Sequence, residues 1–165
     1  MARLTSAAVP PPDAADHARG EGENLVVYVD LGCPHCAAQW QRISALPMRV
    51  VFRHFPVASK HPRAPVLHAA AEAAGRQGQF FEMVDSLFAE RGWVDDPHIW
   101  DRVRRLGLDH DRFEADRRSD EVAGRLRRDF ESGIRAGVTA TPALFRGGSR
   151  LGRDHAERLL GGPSA

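Results

Sequence analysis

The chain has two cysteines, and they sit together as Cys33-Pro34-His35-Cys36. A pair at this spacing can cycle between dithiol and disulfide if one sulfur ionises readily, because the thiolate is the nucleophile in disulfide exchange. The flanking residues provide for that. Leu25-Val26-Val27-Tyr28-Val29 reads as a buried strand and Asp30-Leu31-Gly32 as a turn. Ala37 to Ile43 reads as a helix with Cys36, Trp40 and Ile43 on one face. Cys33 then falls at the N-cap, where unpaired N–H groups and the helix dipole favour negative charge. Pro34 suits the first helical position, since the N–H it lacks would be unpaired there. His35 offers a nearby donor or positive charge. Cys36 lies one turn on and deeper. Cys33 is therefore assigned as the attacking thiol and Cys36 as the resolving one.

Other uses of the pair fit less well. Structural zinc wants four ligands, usually as two close pairs. No second close pair occurs, and His54, His61 and His68 look scattered, suited to caps and surfaces. No metal or other cofactor is expected. As a structural disulfide the pair would close too short a loop to stabilise much.

A length of 165 residues makes one domain with a real core. The net charge of +1 predicts neither nucleic-acid nor membrane binding. Basic residues are nearly all arginine, Lys60 being the sole lysine. No apolar run reaches the roughly 18 residues of a membrane span, so no membrane insertion is expected. Met1 to Gly22 has no signal-peptide apolar core. As written, the chain is expected in the cytoplasm; if its start lies further upstream, a periplasmic or other extracytoplasmic place follows. Ala7 to Pro12 reads as an extended or mobile lead.

Beyond the first helix, Arg49 to Phe55 reads as a second strand, which makes a parallel βαβ unit. Helices are expected over 64–75, 79–90, 97–106, 111–118 and 119–136. The last carries Val122, Leu126 and Phe130 on one face, with Ile134 nearby. Phe80-Phe81 reads as core, and the arginine pairs 104–105, 117–118 and 127–128 read as solvated helix faces. Val138 to Phe145 gives a turn, a proline and a short strand. Gly147-Gly148 is a hairpin turn and Arg150-Leu151 the returning strand. Asp154 would cap a final helix through Leu160, stopped by Gly161-Gly162.

Taken with this order of elements, several segments resemble the DsbA-like branch of the thioredoxin superfamily, and most closely the bacterial group called thioredoxin 4. The resemblance runs from Asp16-His17 to the C-terminal helix. Cys33-Pro34-His35-Cys36 resembles the active site, Asp30 a recurrent acid, Arg53-His54-Phe55-Pro56 the end of the second strand, and Gln77 to Phe81 the opening of an inserted helix. Gly137 to Pro142 resembles the cis-proline loop. The resemblance implies an α/β thioredoxin fold with an inserted helical domain. Residues 1–20 would be the lead, 21–58 and 137–165 the thioredoxin fold, and 59–136 the insertion capping the active-site face. It also implies a thiol–disulfide oxidoreductase acting on protein thiols and disulfides. A recycling partner, of thioredoxin or glutathione type or a membrane oxidase, would restore it. Pro142 would be cis beside Cys33, and Thr141 would pair with an extended substrate segment. Many relatives carry a buried acid where this chain has Val27; Asp30 is the candidate proton relay instead. A redox-silent binding module, or a reductase or isomerase in place of a net oxidase, are the alternatives.

Overall fold

The structure, a computed structural model, describes residues 6–161. Strands β1 (His17–Arg19), β2 (Asn24–Val29), β3 (Arg49–His54), β4 (Ala143–Arg146) and β5 (Ser149–Arg150) form one sheet in the order β1-β3-β2-β4-β5. The β2 and β3 pair is parallel, and α1 (Pro34–Ser44) makes the crossover between them. The other pairings are antiparallel. Helices α2 (Ala64–Gly75), α3 (Phe80–Ala89), α4 (Asp96–Arg105), α5 (His110–Arg117) and α6 (Asp120–Arg135) follow β3, and α7 (Arg153–Leu159) ends the described chain. The fold is an α/β thioredoxin fold with a helical insertion.

Alternation along the central strands divides the core. Leu25, Val27 and Val29 of β2 and Val50 and Phe52 of β3 face α1, α2 and α3, where they meet Trp40, Ile43, Leu67, Met83, Val84 and Leu87. Val26 and Tyr28, with Val51, face the opposite way against Phe55, Ala136 and Val138. On that side α6 crosses the sheet closely. A Cβ on Gly133 would stand 2.7 Å from the Phe55 ring and 2.9 Å from that of Tyr28, so only a glycine permits the approach. Side-chain caps start the last three insertion helices, α4 to α6: Asp95 accepts from the N–H of His98, Asp109 from that of Arg112, and Ser119 from that of Val122.

Several expectations need correction. The lead is extended but not loose. Val9 is buried, Ala7 donates to the Arg135 carbonyl at 2.8 Å, and Arg53 donates to the carbonyls of Pro10 and Pro11. Arg53 also meets Asp16 at 3.0 Å in a buried ion pair that Arg125 joins. β1 was not foreseen; its residues carry no strand pattern, and pairing with β3 imposes the conformation. The expected apolar stripe of α6 is only partly core: Val122 is buried, whereas Ile134 is 54% exposed. Arg102 is wholly buried on α4, its guanidinium held by Ser86 and by the carbonyls of Glu90, Trp93 and His98. The last helix is capped by Gly152, not Asp154. The expected stop at Gly162, and residues 1–5 and 162–165 of the expected ranges, lie outside the described residues.

Candidate active site

Cys33 is the N-cap of α1, in extended conformation, with Pro34 in the first turn. The helix begins there because the preceding turn is tied down. Asp30 Oδ1 accepts from the N–H of Gly32 at 2.8 Å, and the N–H of Cys33 returns to the carbonyl of Asp30. Both thiols are reduced. Cys33 Sγ lies at the edge of a groove, 3.7 Å from the carbonyl of Thr141, while Cys36 Sγ sits inside and accepts from the N–H of Asp30 at 3.4 Å.

Their environments push the two thiols apart. The Cys33 pKa falls from 9.0 to about 5. A hydrogen bond from the Cys36 thiol is the largest cause; burial opposes it, and Thr141 with the backbone N–H groups of Cys36 and His35 reinforces it. Burial chiefly, together with the neighbouring Cys33 charge, pushes the Cys36 thiol well up. The backbone N–H of His35 thus supports the Cys33 thiolate, while its imidazole stands exposed at the groove edge.

The groove has a volume of about 650 Å³. Phe55, Val57, Phe130, Ile134 and Val138 give it an apolar wall, and Cys33, Thr141 and His61 line it as well. The Thr141–Pro142 peptide is cis, and both residues line a second depression toward α7. So the structure brings together Cys33, Pro34, His35, Cys36, Thr141 and Pro142. Val27, between Phe52 and Leu144 in the sheet, is fully buried and supplies no proton carrier.

Asp30 is also fully buried. Besides the Gly32 N–H, it accepts from the N–H of Val57 at 3.1 Å and from His61 Nδ1 at 2.8 Å. Burial alone would raise its carboxyl; contacts with His68, the Gly32 N–H and His61 outweigh that and hold it below the usual range. It is therefore both turn residue and buried carboxylate.

The histidines are not scattered. His54 and His68 are wholly buried. The N–H of Leu31 donates to His68 Nε2 at 2.9 Å, so His68 carries its proton on Nδ1. That proton faces His54 Nδ1 at 2.7 Å, which leaves the His54 proton on Nε2, aimed at Glu72 Oε1 at 2.7 Å. His17 Nε2 reaches the same oxygen from β1, also at 2.7 Å. Sequence spacing hid this row, although two signs were present. His54 shares a strand face with Val50 and Phe52, and His68 and Glu72 stand at i,i+4 beside Leu67 and Ala71 on an alanine-rich helix.

Among the described residues, His17, His54 and Glu72 form a group with metal-ligand spacing, their atoms within 4.8 Å of one another. The hydrogen-bond directions fit a metal poorly. A metal on His54 Nε2 would move that ring's proton to Nδ1, against the Nδ1–H of His68, whose other nitrogen is committed to Leu31.

A family model described as thioredoxin (Thioredoxin_4) matches residues 15–160. Among curated proteins, a Na(+)/H(+) antiporter NhaA of Herminiimonas arsenicoxydans is 38% identical over 152 residues, 86% of this chain and 24% of that protein. Na(+)/H(+) antiporter NhaA 3 of Salinispora tropica is 37% identical over 86% of this chain and 23% of its own length. The chain thus spans about a quarter of these relatives. Among solved structures, a thioredoxin-like oxidoreductase from Silicibacter pomeroyi gives a TM-score of 0.74 at 21% identity, covering 90% of this chain and 92% of that one. The thiol-disulfide exchange protein alpha-DsbA2 from Wolbachia pipientis gives 0.73 at 20% identity, covering 90% and 87%. The catalytic domain of Proteus mirabilis ScsC gives 0.73 at 18%, covering 90% and 89%.

Proposed function

The chain belongs to this thioredoxin family, and from that premise we propose that it is a DsbA-like thiol–disulfide oxidoreductase. It exchanges disulfides with protein substrates through Cys33 and Cys36. The observation that carries the reading is the placement of the two thiols, Cys33 at the helix N-cap on the groove edge and Cys36 one turn on and buried inside, which lowers the pKa of the first and raises that of the second. A nucleophile that is ionised at neutral pH attacks; a partner that stays protonated until needed resolves.

To reduce a substrate, the Cys33 thiolate attacks one sulfur of its disulfide and the other sulfur leaves. Cys36 then gives up its proton and attacks Cys33, which frees the second substrate sulfur. Oxidation of a substrate dithiol runs the same steps backward. Pro34 starts the helix that stabilises the thiolate, and His35 supplies a backbone donor. Thr141 and Pro142 border the groove on the substrate side, where an extended segment would lie with apolar side chains against Phe130 and Ile134.

Direction follows compartment. A Cys-Pro-His-Cys pair poised about 100 mV above the cytosolic glutathione pool rests as dithiol by about 5 kcal/mol. It then serves in the cytoplasm as reductase or isomerase, recycled by a thioredoxin- or glutathione-type partner. Outside the cytoplasm it serves as net oxidase, recycled by a membrane oxidase. The transport named for the antiporters is not carried over, because this chain matches only about a quarter of their length.

The test is equilibration of the protein with glutathione buffers followed by thiol trapping. One reversible two-electron transition in the wild type, absent from Cys33→Ser, is expected. A pair that forms no disulfide at any poise would overturn the reading in favour of a redox-silent binding module.

A further inference from the structure

Exchange at Cys33 also needs a proton to move on the substrate's side of the groove. A leaving substrate sulfur must be protonated, and an attacking substrate thiol must be deprotonated. Neither cysteine serves that need: Cys33 is the reacting sulfur and Cys36 is inside. The loop before α2 supplies a group. His61 lines the groove with Cys33 and Thr141, and its side chain is 24% exposed. Its Nδ1 donates to Asp30 Oδ2 at 2.8 Å, which leaves Nε2 as the nitrogen free to accept or give a proton. No protein group among the described residues occupies that nitrogen. The carboxylate behind it is buried, and two backbone N–H groups fix it in place. This is the arrangement by which a buried carboxylate orients a histidine and fixes which ring nitrogen faces the substrate.

The site has been given room. A Cβ on Gly32 would stand 2.7 Å from the His61 Cβ, so the glycine just before Cys33 lets the imidazole pack onto the active-site turn. The other titratable or charged groups lining this groove are Cys33, His35 and Lys60; α6 and the loop at 138–141 offer none.

We propose that His61, held by Asp30, is the acid–base residue that moves the substrate's proton during exchange at Cys33, a role that rests on the redox reading above. In the reducing direction the Cys33 thiolate forms a bond to one substrate sulfur and the substrate S–S bond breaks. Its electron pair leaves on the second sulfur, and the proton of His61 Nε2 goes to that sulfur. In the oxidising direction the neutral nitrogen takes the proton of the substrate thiol. The freed thiolate attacks Cys33 Sγ, the Cys33–Cys36 bond breaks, and its electron pair leaves on Cys36. The proton reaches Cys36 through His61 and solvent.

The experiment is turnover of a disulfide-bonded peptide against pH by wild type, His61→Asn and His61→Ala, with melting curves as the check on folding. A fall of about 10²-fold is expected for His61→Asn, with one ionisation lost from the pH–rate profile and the Cys33 thiolate titration unmoved. Added imidazole is expected to restore His61→Ala. Unchanged rate and profile would overturn the inference, as would a slower variant that keeps every ionisation and ignores imidazole. If the wild type itself fails to turn over, the redox reading falls, a distinguishable result. A second measurement needs no variant. Across small disulfides of graded leaving-thiol acidity, wild-type rates are expected to vary weakly; steep dependence would contradict protonation of the leaving sulfur.

Discussion

The groove beside Cys33 and the histidine row behind it are built from similar side chains and do opposite work. At the groove, Cys33, His35 and His61 each keep an atom open to a newcomer, and the thiol is held far from its ordinary pKa. In the row, both nitrogens of His68 and of His54 are committed at 2.7–2.9 Å, and Glu72 accepts from two rings. An open titratable group can react, whereas a fully partnered one fixes structure, here the Leu31 N–H next to the active-site turn. Residue type alone does not separate the two; the count of free lone pairs and protons does.

The largest expected effect that would sharpen this contrast is on activity. Cys33→Ser should reduce disulfide exchange to background while still folding and melting in one cooperative transition, since the side chain is replaced by one of nearly the same size. Activity surviving in Cys33→Ser would break the contrast. The reverse pattern is expected for His68→Leu. It leaves the Leu31 N–H and His54 Nδ1 without partners, a loss of about 3 kcal/mol, or about 6–12 °C in melting temperature for a chain of this size. A thiolate still titrating at low pH in the folded variant would show that the row supports the loop rather than the chemistry.

Titration separates the regions again. Burial pushes His68 from 6.5 down to about 4. As pH falls below about 6.5 the unfolded chain takes up a proton that the folded chain refuses, so stability drops, by about 2 kcal/mol at pH 5. Denaturant melts at pH 7 and pH 5 should show this slope in wild type and lack it in His68→Leu. At the groove the sign favours the reduced form. Cys33 is ionised above about 5 when folded, against 9.0 in the free chain. The thiolate therefore stabilises the folded dithiol, increasingly as pH rises from about 5 toward 9, and the stabilisation is lost as pH falls through about 5. The 240 nm thiolate absorbance should titrate there, and the reduction potential should fall by about 30 mV per pH unit above it.

The smallest effect belongs to the groove wall. Ile134→Asp removes an exposed apolar side chain, so stability should stay within about 0.5 kcal/mol. The KM for an apolar peptide substrate should rise and that for a small soluble disulfide should not.

Much of this was legible from the chain. A β-branched run, a turn and Pro34 after Cys33 located strand, N-cap and helix, because local propensity and tertiary packing agree there. Gly147-Gly148 marked the hairpin for the same reason. The histidine row, the Asp30–His61 pair and β1 were not legible. Their partners are 14 to 55 residues apart, and only the βαβ crossover and the return of β1 onto β3 bring them together. The α6 stripe misled because the apolar face that periodicity detects is divided between core and groove, as Val122 and Ile134 illustrate.

The most direct measurement is trapping of the covalent intermediate. Cys36→Ser, mixed with a disulfide-bonded peptide at pH 7 and analysed by mass spectrometry, should accumulate a mixed disulfide at Cys33, while Cys33→Ser should accumulate none at Cys36. A mixed disulfide on Cys36, or none in either variant, would contradict the assignment of Cys33 as nucleophile and Cys36 as resolving thiol.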